Sequence, residues 1–184
     1  MILVFFNIYE IYKEITMKIR EGTNLLSGIL FTIIAGVLLH FAYEWSMENP
    51  FVALFAPVNE SVWEHLKMLF FPVFLYTLFE VIVLFKTSGR FLTSRIAGVL
   101  LGMFFIVAAF FTYTGISGKD FLAADILIFV FSVLVTFLCS RYFEVQCPGM
   151  HLPLLANYAL LLLLVICFFS FTFSPPGLPM FYTV

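Results

Sequence analysis

The segment Leu152–Phe173, LPLLANYALLLLLVICFFSFTF, contains no charged residue, and its one amide side chain is that of Asn157. A helix needs about 20 consecutive apolar residues to cross the hydrocarbon core of a bilayer. The apolar run is continuous and does not alternate, which favours a helix over a strand of a membrane barrel. The segment therefore predicts a transmembrane α-helix.

Four further apolar segments of similar length precede it. Together they predict an all-α polytopic membrane protein with five transmembrane helices: Leu25–Tyr43, Met68–Phe85, Ala97–Ile116, Phe121–Cys139 and Leu152–Phe173. Of the 184 residues 63% are hydrophobic and 11% are charged, whereas a soluble domain carries about a quarter charged residues. A chain of this size still exposes about a third of its surface. We therefore expect the lipid bilayer as its surroundings, and the net charge of −2 gives no basic field for nucleic acid.

The distribution of lysine and arginine predicts the orientation, because these residues are enriched in cytoplasmic loops. With the N-terminus inside and the C-terminus outside, the inner segments hold seven of them: Lys13, Lys18, Arg20, Lys86, Arg90, Arg95 and Arg141. The outer loops hold Lys67 and Lys119. Trp45 and Trp63 then lie at the outer boundary, where an indole N–H remains in water.

The chain divides into an N-terminal segment, residues 1–22, and a single five-helix membrane domain, residues 23–184. The first segment begins apolar and becomes amphipathic, so it predicts either a helix on the inner membrane surface or an extension without a role, over residues 1–16. It lacks the basic start and the small-residue cleavage site of a signal peptide. The three cysteines predict neither a disulfide framework nor a zinc motif.

One polar stretch interrupts the apolar chain: Pro57–Lys67, PVNESVWEHLK. Ser61 and Glu64 have the spacing of a capping box, with Asn59 as an alternative N-cap. Glu64 and Lys67, three residues apart, are expected to pair on the water side of this helix. Pro72 follows, so the stretch is predicted to be either a separate interfacial helix or the outer arm of a kinked one.

Further polar residues lie at the same predicted depth. His40 and Glu44 are four residues apart on one helix face, and Asp125 lies in the first turn after Phe121. Ionisable groups at membrane depth usually face one another or a water-filled cavity. We therefore predict a polar pocket at the outer face, formed by His40, Tyr43, Glu44, Asn59, Glu60, Ser61, Glu64, His65 and Asp125.

The pocket allows three kinds of chemistry: a hydrogen-bonded network that only holds helices together, a substrate or ion site, or a metal site. Imidazole and carboxylate suit a divalent metal, and the candidate ligands are His40, His65, Glu60 and Glu64. The spacing matches no metal motif, so no cofactor is expected, and a divalent metal is the alternative. His151 is predicted on the opposite side of the bilayer.

Two polar residues lie inside predicted spans, Glu80 in the second and Asn157 in the fifth. They are predicted to hydrogen-bond to one another, with Glu80 either protonated or reaching Arg95. The structural interpretation is a contact between helices. The functional one is a step in a proton or ion path.

The segment EWSMENPFVALFAPVNESVWEHLKMLFFPV resembles a family of small uncharacterised bacterial integral membrane proteins, a domain-of-unknown-function family. Its pattern is H-x-x-Y-E-W-S, then P-V-N-E-S-x-W-E-H-x-K, then F-x-P-P-x-x-P-x-F. These elements begin at His40, Pro57 and Phe173. The resemblance covers residues 17–184. It implies a bacterial cytoplasmic membrane location and no activity.

Ser61 and His65 also resemble the S-x-x-x-H element of the membrane hydrolase superfamily that contains alkaline ceramidases. That superfamily has seven spans and a C-terminal H-x-x-x-H element. Here Leu155 stands four residues after His151, and five spans are predicted.

Three functions follow from these observations. The first is a structural or partner-binding membrane protein, with a homo-oligomer or another membrane protein as the partner. The alternative is a transporter of a small solute or ion that uses Glu80 and Asn157. The second alternative is a metal-dependent membrane hydrolase.

Overall fold

The computed structural model describes the backbone of residues 2–182 and the side chains of residues 21–182. Over this part of the chain the regular structure is entirely helical. The elements are α1 (Ile2–Trp45), α2 (Pro50–Ala53), α3 (Val62–Val83), α4 (Gly89–Ser117), α5 (Leu122–Gln146), α6 (Leu154–Phe173) and a short 3₁₀ helix (Pro179–Phe181).

Five helices are long and apolar enough to cross a membrane: Glu21–Trp45 of α1, and α3, α4, α5 and α6 in full. They match the five predicted spans in order, but α1, α3 and α4 begin before the predicted spans, α1 at Ile2. α3 begins at Val62 and α4 at Gly89, because Glu64, Lys67 and Arg95 find partners inside the bundle. In the sequence, a charged residue interrupts an apolar run and looks like the end of a membrane span. In the folded protein, a charged residue that is paired can lie inside the span.

Contacts between the helices give the bundle two ends. We call one the histidine end: it holds the end of α1, the start of α3 and the start of α5. The rings of His40 and His65 contact each other there in a tilted arrangement, with centroids 5.3 Å apart. We call the other the arginine end, where Arg95 of α4 meets Glu80 of α3.

Helices α4 and α5 pack closely because two glycines of α4 face small polar residues of α5. A Cβ atom at Gly98 would overlap Oγ of Ser140, and one at Gly102 would overlap Oγ1 of Thr136. Glycine therefore sets the distance between these helices. α3 is the most buried of the five spans and contacts α1, α4, α5 and the 3₁₀ helix.

The C-terminal segment folds back onto the start of α3. Phe181 is 6% exposed, and its ring centroid lies 4.9 Å from that of Trp63, which in turn lies 4.8 Å from Phe168 of α6. The expectation that the indole N–H remains in water is wrong for Trp63, since its Nε1 is buried without a hydrogen-bond partner among the described residues. Trp45 is 66% exposed.

The structure decides one of the alternatives that the sequence left open, and it leaves the other undecided. α3 runs through Pro72 as one helix from Val62 to Val83, so the polar stretch is not a separate interfacial helix. The predictions for residues 1–22 remain predictions, because the side chains of residues 1–20 lie outside the described part of the chain.

Candidate functional site

The start of α3 forms half of the predicted capping box. Ser61 is the N-cap, and its Oγ accepts a hydrogen bond from the Glu64 amide at 3.4 Å. The reciprocal bond is absent among the described contacts, because the Glu64 carboxylate accepts instead from the amide of Val58 at 3.0 Å. Asn59 Oδ1 accepts from the Ser61 amide at 2.9 Å. Asn59 therefore closes the turn that leads into the helix.

The expectation that Glu64 and Lys67 pair on the water side is wrong. Their side chains are 3% and 0% exposed, and the carboxylate lies 2.7 Å from Nζ. Lys67 also donates to the carbonyls of Ala53 at 2.7 Å and Ala56 at 3.2 Å. Thr172 of α6 donates to the other Glu64 oxygen at 3.1 Å. The loop around α2 and helix α6 cover this pair, so it is a buried and hydrogen-bonded anchor between three elements.

A second cluster lies at the histidine end and joins three of the four predicted metal ligands. One potential ligand atom from each of His40, Glu60 and His65 lies within 4.8 Å of the others. Glu60 Oε2 is 3.3 Å from Nε2 of His65, and the Glu60 side chain is 71% exposed. His40 Nδ1 is buried without a hydrogen-bond partner among the described residues. Glu64 belongs to the anchor and not to this cluster.

The hydrogen bond of His65 to the backbone determines what its other nitrogen can do. Nδ1 lies 2.9 Å from the carbonyl oxygen of Ser61, and since a carbonyl only accepts, Nδ1 carries a proton. In the neutral ring, Nε2 is then an unprotonated acceptor that faces a carboxylate. Two acceptors at 3.3 Å require a proton or a cation between them. Metal-binding histidines commonly have this arrangement, with the second nitrogen donating to a carbonyl.

Three other residues of the predicted outer pocket, Tyr43, Glu44 and Asp125, have contacts of their own. The backbone carbonyls of Tyr43 and Glu44 accept hydrogen bonds from Glu48 and Met47, which turn the chain after α1. Asp125 accepts a hydrogen bond of 2.5 Å from the hydroxyl of Tyr113 and thereby links α5 to α4. The prediction that Tyr43, Glu44 and Asp125 share one pocket with the histidines stays a prediction.

The two predicted intramembrane residues have different partners. Glu80 accepts from Arg95 at 2.5 Å and from Lys86 at 2.9 Å, so the alternative in which Glu80 reaches Arg95 agrees with the structure. Asn157 accepts from Thr93 at 3.0 Å and donates to the carbonyl of Leu152 at 3.1 Å. The predicted bond between Glu80 and Asn157 is not among the contacts of either side chain.

Sequence reasoning missed the participation of Thr172 and the burial of Lys67. No local signal identifies Thr172, because it lies within the apolar run of α6. The burial of Lys67 had a signal: it precedes an apolar run and follows Glu64 by one helical turn. A pair that neutralises itself locally can enter an apolar environment.

Five helices of the described residues are long and apolar enough to cross a membrane, which is the character of an α-helical multi-pass membrane protein. Residues 6–184 match the family described as "Family of unknown function (DUF6512)". The chain belongs to this family, which confirms the expected membership of a family of unknown function. Neither the curated proteins nor the solved structures contain a significant match to the chain.

Proposed function

We propose that this protein is a membrane metalloprotein that binds one divalent transition metal through His40, Glu60 and His65. The observation that carries the proposal is the convergence of the three donor atoms within 4.8 Å. The ligands come from the end of α1, from the loop before α3 and from the first turn of α3. The metal would therefore join helices that are distant in sequence.

The donor chemistry fits zinc first. Two histidines and one glutamate are a ligand set of catalytic zinc sites, and a similar set binds non-haem iron. The Ser61 carbonyl orients His65 so that Nε2 faces Glu60. His40 contributes one ring nitrogen to the group, and its buried Nδ1 has no hydrogen-bond partner among the described residues. A metal ion would satisfy His40 and separate the two facing acceptors.

Three protein ligands leave a coordination position for water, and a zinc ion lowers the pKa of such a water to about 7. The reaction class that suits this centre is hydrolysis. Glu60 is largely exposed, so a substrate can approach from the aqueous side. Glu64 is unsuited to the role of general base because both of its oxygens accept hydrogen bonds from protein groups.

We also infer that the histidine end faces the outside of a bacterial cytoplasmic membrane. Lys67 and Arg95 are buried in ion pairs, so neither belongs in the count of loop charges. The remaining basic residues still favour an internal arginine end: Lys13, Lys18, Arg20, Lys86, Arg90 and Arg141 against Lys119.

The other two functions have less support. In the structural or partner-binding interpretation, a protonated His65 pairs with Glu60 and joins the loop to α3 without a metal. This explains the 3.3 Å contact but leaves His40 Nδ1 without a partner. The transport alternative requires Glu80 and Asn157 to act together, whereas they have separate partners.

Elemental analysis of the protein purified in detergent, without chelators and after incubation with zinc and removal of the excess, tests the proposal. The wild type is expected to retain about one metal ion per chain, and the His40→Ala/His65→Ala variant none. His151→Ala is the matched control, because His151 is exposed in the loop before α6. Zinc should also raise the thermal midpoint of the wild type and of the control.

A wild type that retains no metal after this incubation contradicts the proposal and favours the structural interpretation. Equal metal loss in His151→Ala would contradict the assignment of the ligands. Circular dichroism of each variant shows whether the helices have formed, so loss of metal can be separated from loss of fold.

A further inference from the structure

Glu60, the proposed glutamate ligand, lies on a loop and not on a helix. It stands between α2, which ends at Ala53, and α3, which begins at Val62. Its side chain is 71% exposed and faces Nε2 of His65 at 3.3 Å. An exposed loop residue loses conformational freedom when it binds a metal, and this loss weakens binding. Groups that already hold the loop backbone reduce the freedom that remains to be lost.

Two side chains of α3 hold the backbone of this loop. Lys67 donates to the carbonyl oxygens of Ala53 at 2.7 Å and Ala56 at 3.2 Å. The Glu64 carboxylate accepts from the amide of Val58 at 3.0 Å. Ala53 and Ala56 are 3% and 0% exposed, so the first half of the loop is buried. The anchor formed by Glu64 and Lys67 thus holds the loop up to two residues before the proposed ligand.

An Asx turn continues this support across the ligand itself. Oδ1 of Asn59 accepts from the amide of Ser61 at 2.9 Å, and a turn of this kind restricts the backbone between the two residues. Glu60 is the residue between them. The carbonyl oxygen of Ser61 in turn lies 2.9 Å from Nδ1 of His65. The same short segment therefore orients both the carboxylate and the imidazole.

The anchor has no group left for a metal. The Lys67 ammonium has three protons and three acceptors, which are the carbonyls of Ala53 and Ala56 and Oε2 of Glu64. The other oxygen of Glu64 accepts from Thr172 at 3.1 Å. Because the pair is buried and its charges cancel, its effect on the proposed metal centre is one of position and not of charge.

We propose that Asn59, Glu64 and Lys67 are positioning residues of the metal centre. They hold the loop so that the Glu60 carboxylate faces Nε2 of His65 before a metal arrives. This inference rests on the proposed function and adds residues that do not touch the metal. A ligand that is already in place binds more tightly, because less order must be created on binding. Loss of such supporting groups typically lowers metal affinity about 10–100-fold.

Cobalt(II) is the probe for this role, because its visible absorption reports both its binding and the geometry of its ligands. The full chain is purified in detergent without chelators and titrated with cobalt. The wild type is expected to bind about one ion per chain. The spectrum of the complex and the thermal midpoint of the metal-free protein are recorded for every variant.

Asn59→Ala removes the acceptor of the turn at an exposed position. We expect the cobalt affinity to fall about 10–100-fold and the spectrum to change, while the midpoint of the metal-free protein stays close to that of the wild type. Asn59→Ser should recover part of the affinity, because a hydroxyl can form the same turn more weakly. A role in stability alone would change the midpoint and leave the spectrum of the complex as it is.

Asn49→Ala is the matched control. Asn49 is also exposed, and its Oδ1 accepts from the amide of Phe51 at 2.9 Å. The variant therefore loses the same kind of turn in the same connection between α1 and α3. No proposed ligand lies in that turn, so cobalt binding should match that of the wild type.

A second variant, Glu64→Gln/Lys67→Met, tests the anchor. It removes both charges together, so no buried charge is left unpaired, and it removes the bonds to the carbonyls of Ala53 and Ala56. The cobalt affinity should again fall. Circular dichroism shows whether the helices have formed.

Cobalt binding that is equal in the wild type, Asn59→Ala and the double variant would overturn the positioning role and leave the metal centre intact. An equal loss in Asn49→Ala would overturn it as well, because any loosening of the connection would then have the same effect. A wild type that binds no cobalt contradicts the metal centre itself, and the positioning role with it. The failure of this inference is thus distinguished from the failure of the proposed function.

Discussion

Glu60 Oε2 lies 3.3 Å from Nε2 of His65, while Nδ1 of the same ring lies 2.9 Å from the Ser61 carbonyl. The backbone bond directs the unprotonated nitrogen toward the carboxylate. The backbone of the N-cap residue Ser61 thus orients His65, which faces the exposed carboxylate of Glu60.

Replacement of Glu60 by Gln should weaken zinc binding while the fold is retained. The amide is a poorer metal ligand than the carboxylate, and a loss of affinity of at least about 10–100-fold is expected, the range known for residues that only support a ligand. The side chain is 71% exposed, so the thermal midpoint without zinc should change little. A zinc-binding titration measures the affinity. Glu48→Gln, at another exposed position of the loop, should bind zinc like the wild type, and unchanged affinity in Glu60→Gln would contradict the ligand assignment.

Lys67→Met should destabilise the protein strongly. It leaves the buried Glu64 carboxylate without its cation, and breaking a buried pair in this way costs about 3–5 kcal/mol. The double variant Glu64→Gln/Lys67→Met should recover part of that loss, because no charge is then left unpaired. Unfolding by denaturant in detergent measures the free energies.

The control for this prediction is Lys119→Met, which removes an exposed lysine and should have a small effect. A double variant that is less stable than Lys67→Met would contradict this prediction, because Glu64 and Lys67 would then contribute to stability independently and not as a pair.

Gly102→Ala should separate α4 from α5. The added Cβ overlaps Oγ1 of Thr136 and lies 2.9 Å from the carbonyl oxygen of Ser132, and overpacking of this kind costs about 1–3 kcal/mol. Gly115→Ala makes the same change on the same helix with no atom within 4 Å. It should leave stability unchanged or raise it by up to about 1 kcal/mol, since alanine favours the helix. Thermal unfolding of both variants measures the difference, and equal midpoints would show that the helices can separate without cost.

Phe181→Ala should expose Trp63 to solvent. The ring centroids are 4.9 Å apart, and loss of this contact uncovers one face of the indole. In a Trp45→Phe background, where Trp63 is the one remaining tryptophan, the emission maximum should move to longer wavelength. Tyr182→Ala, at the next position and 52% exposed, should leave the emission unchanged. An unchanged spectrum in Phe181→Ala would mean that the C-terminal segment does not cover Trp63.

The sequence predicts the five spans because lipid imposes a single rule on every segment that crosses it. Length and apolar character suffice for that rule, as Leu152–Phe173 illustrates. The capping box predicted the start of α3 correctly at Ser61, but the membrane spans of α3 and α4 were predicted to begin too late, since a charged residue looks like a boundary until its partner is known. For Arg95 that partner is Glu80 of α3, fifteen residues earlier in the chain.

The same reasoning from the sequence predicted part of the candidate site. His40 and His65 were expected near the same end because α1 and α3 run in opposite directions through the membrane. The division of the glutamates was not predictable, because Glu60 and Glu64 share a helix face by periodicity alone. The loop around Ala53 and the hydroxyl of Thr172 decide it, and both depend on tertiary packing.

The distribution of partners along the chain has a consequence for how the protein is inserted during synthesis. Glu64 and Lys67 lie one turn apart in α3, so this segment carries its neutralising partner when it leaves the translocation channel. Arg95 has its acid in the preceding helix, with Lys86 in the connection between them. Helices α3 and α4 should therefore partition into the bilayer as a hairpin, and the cost of each isolated charge at membrane depth is avoided at every stage of biogenesis.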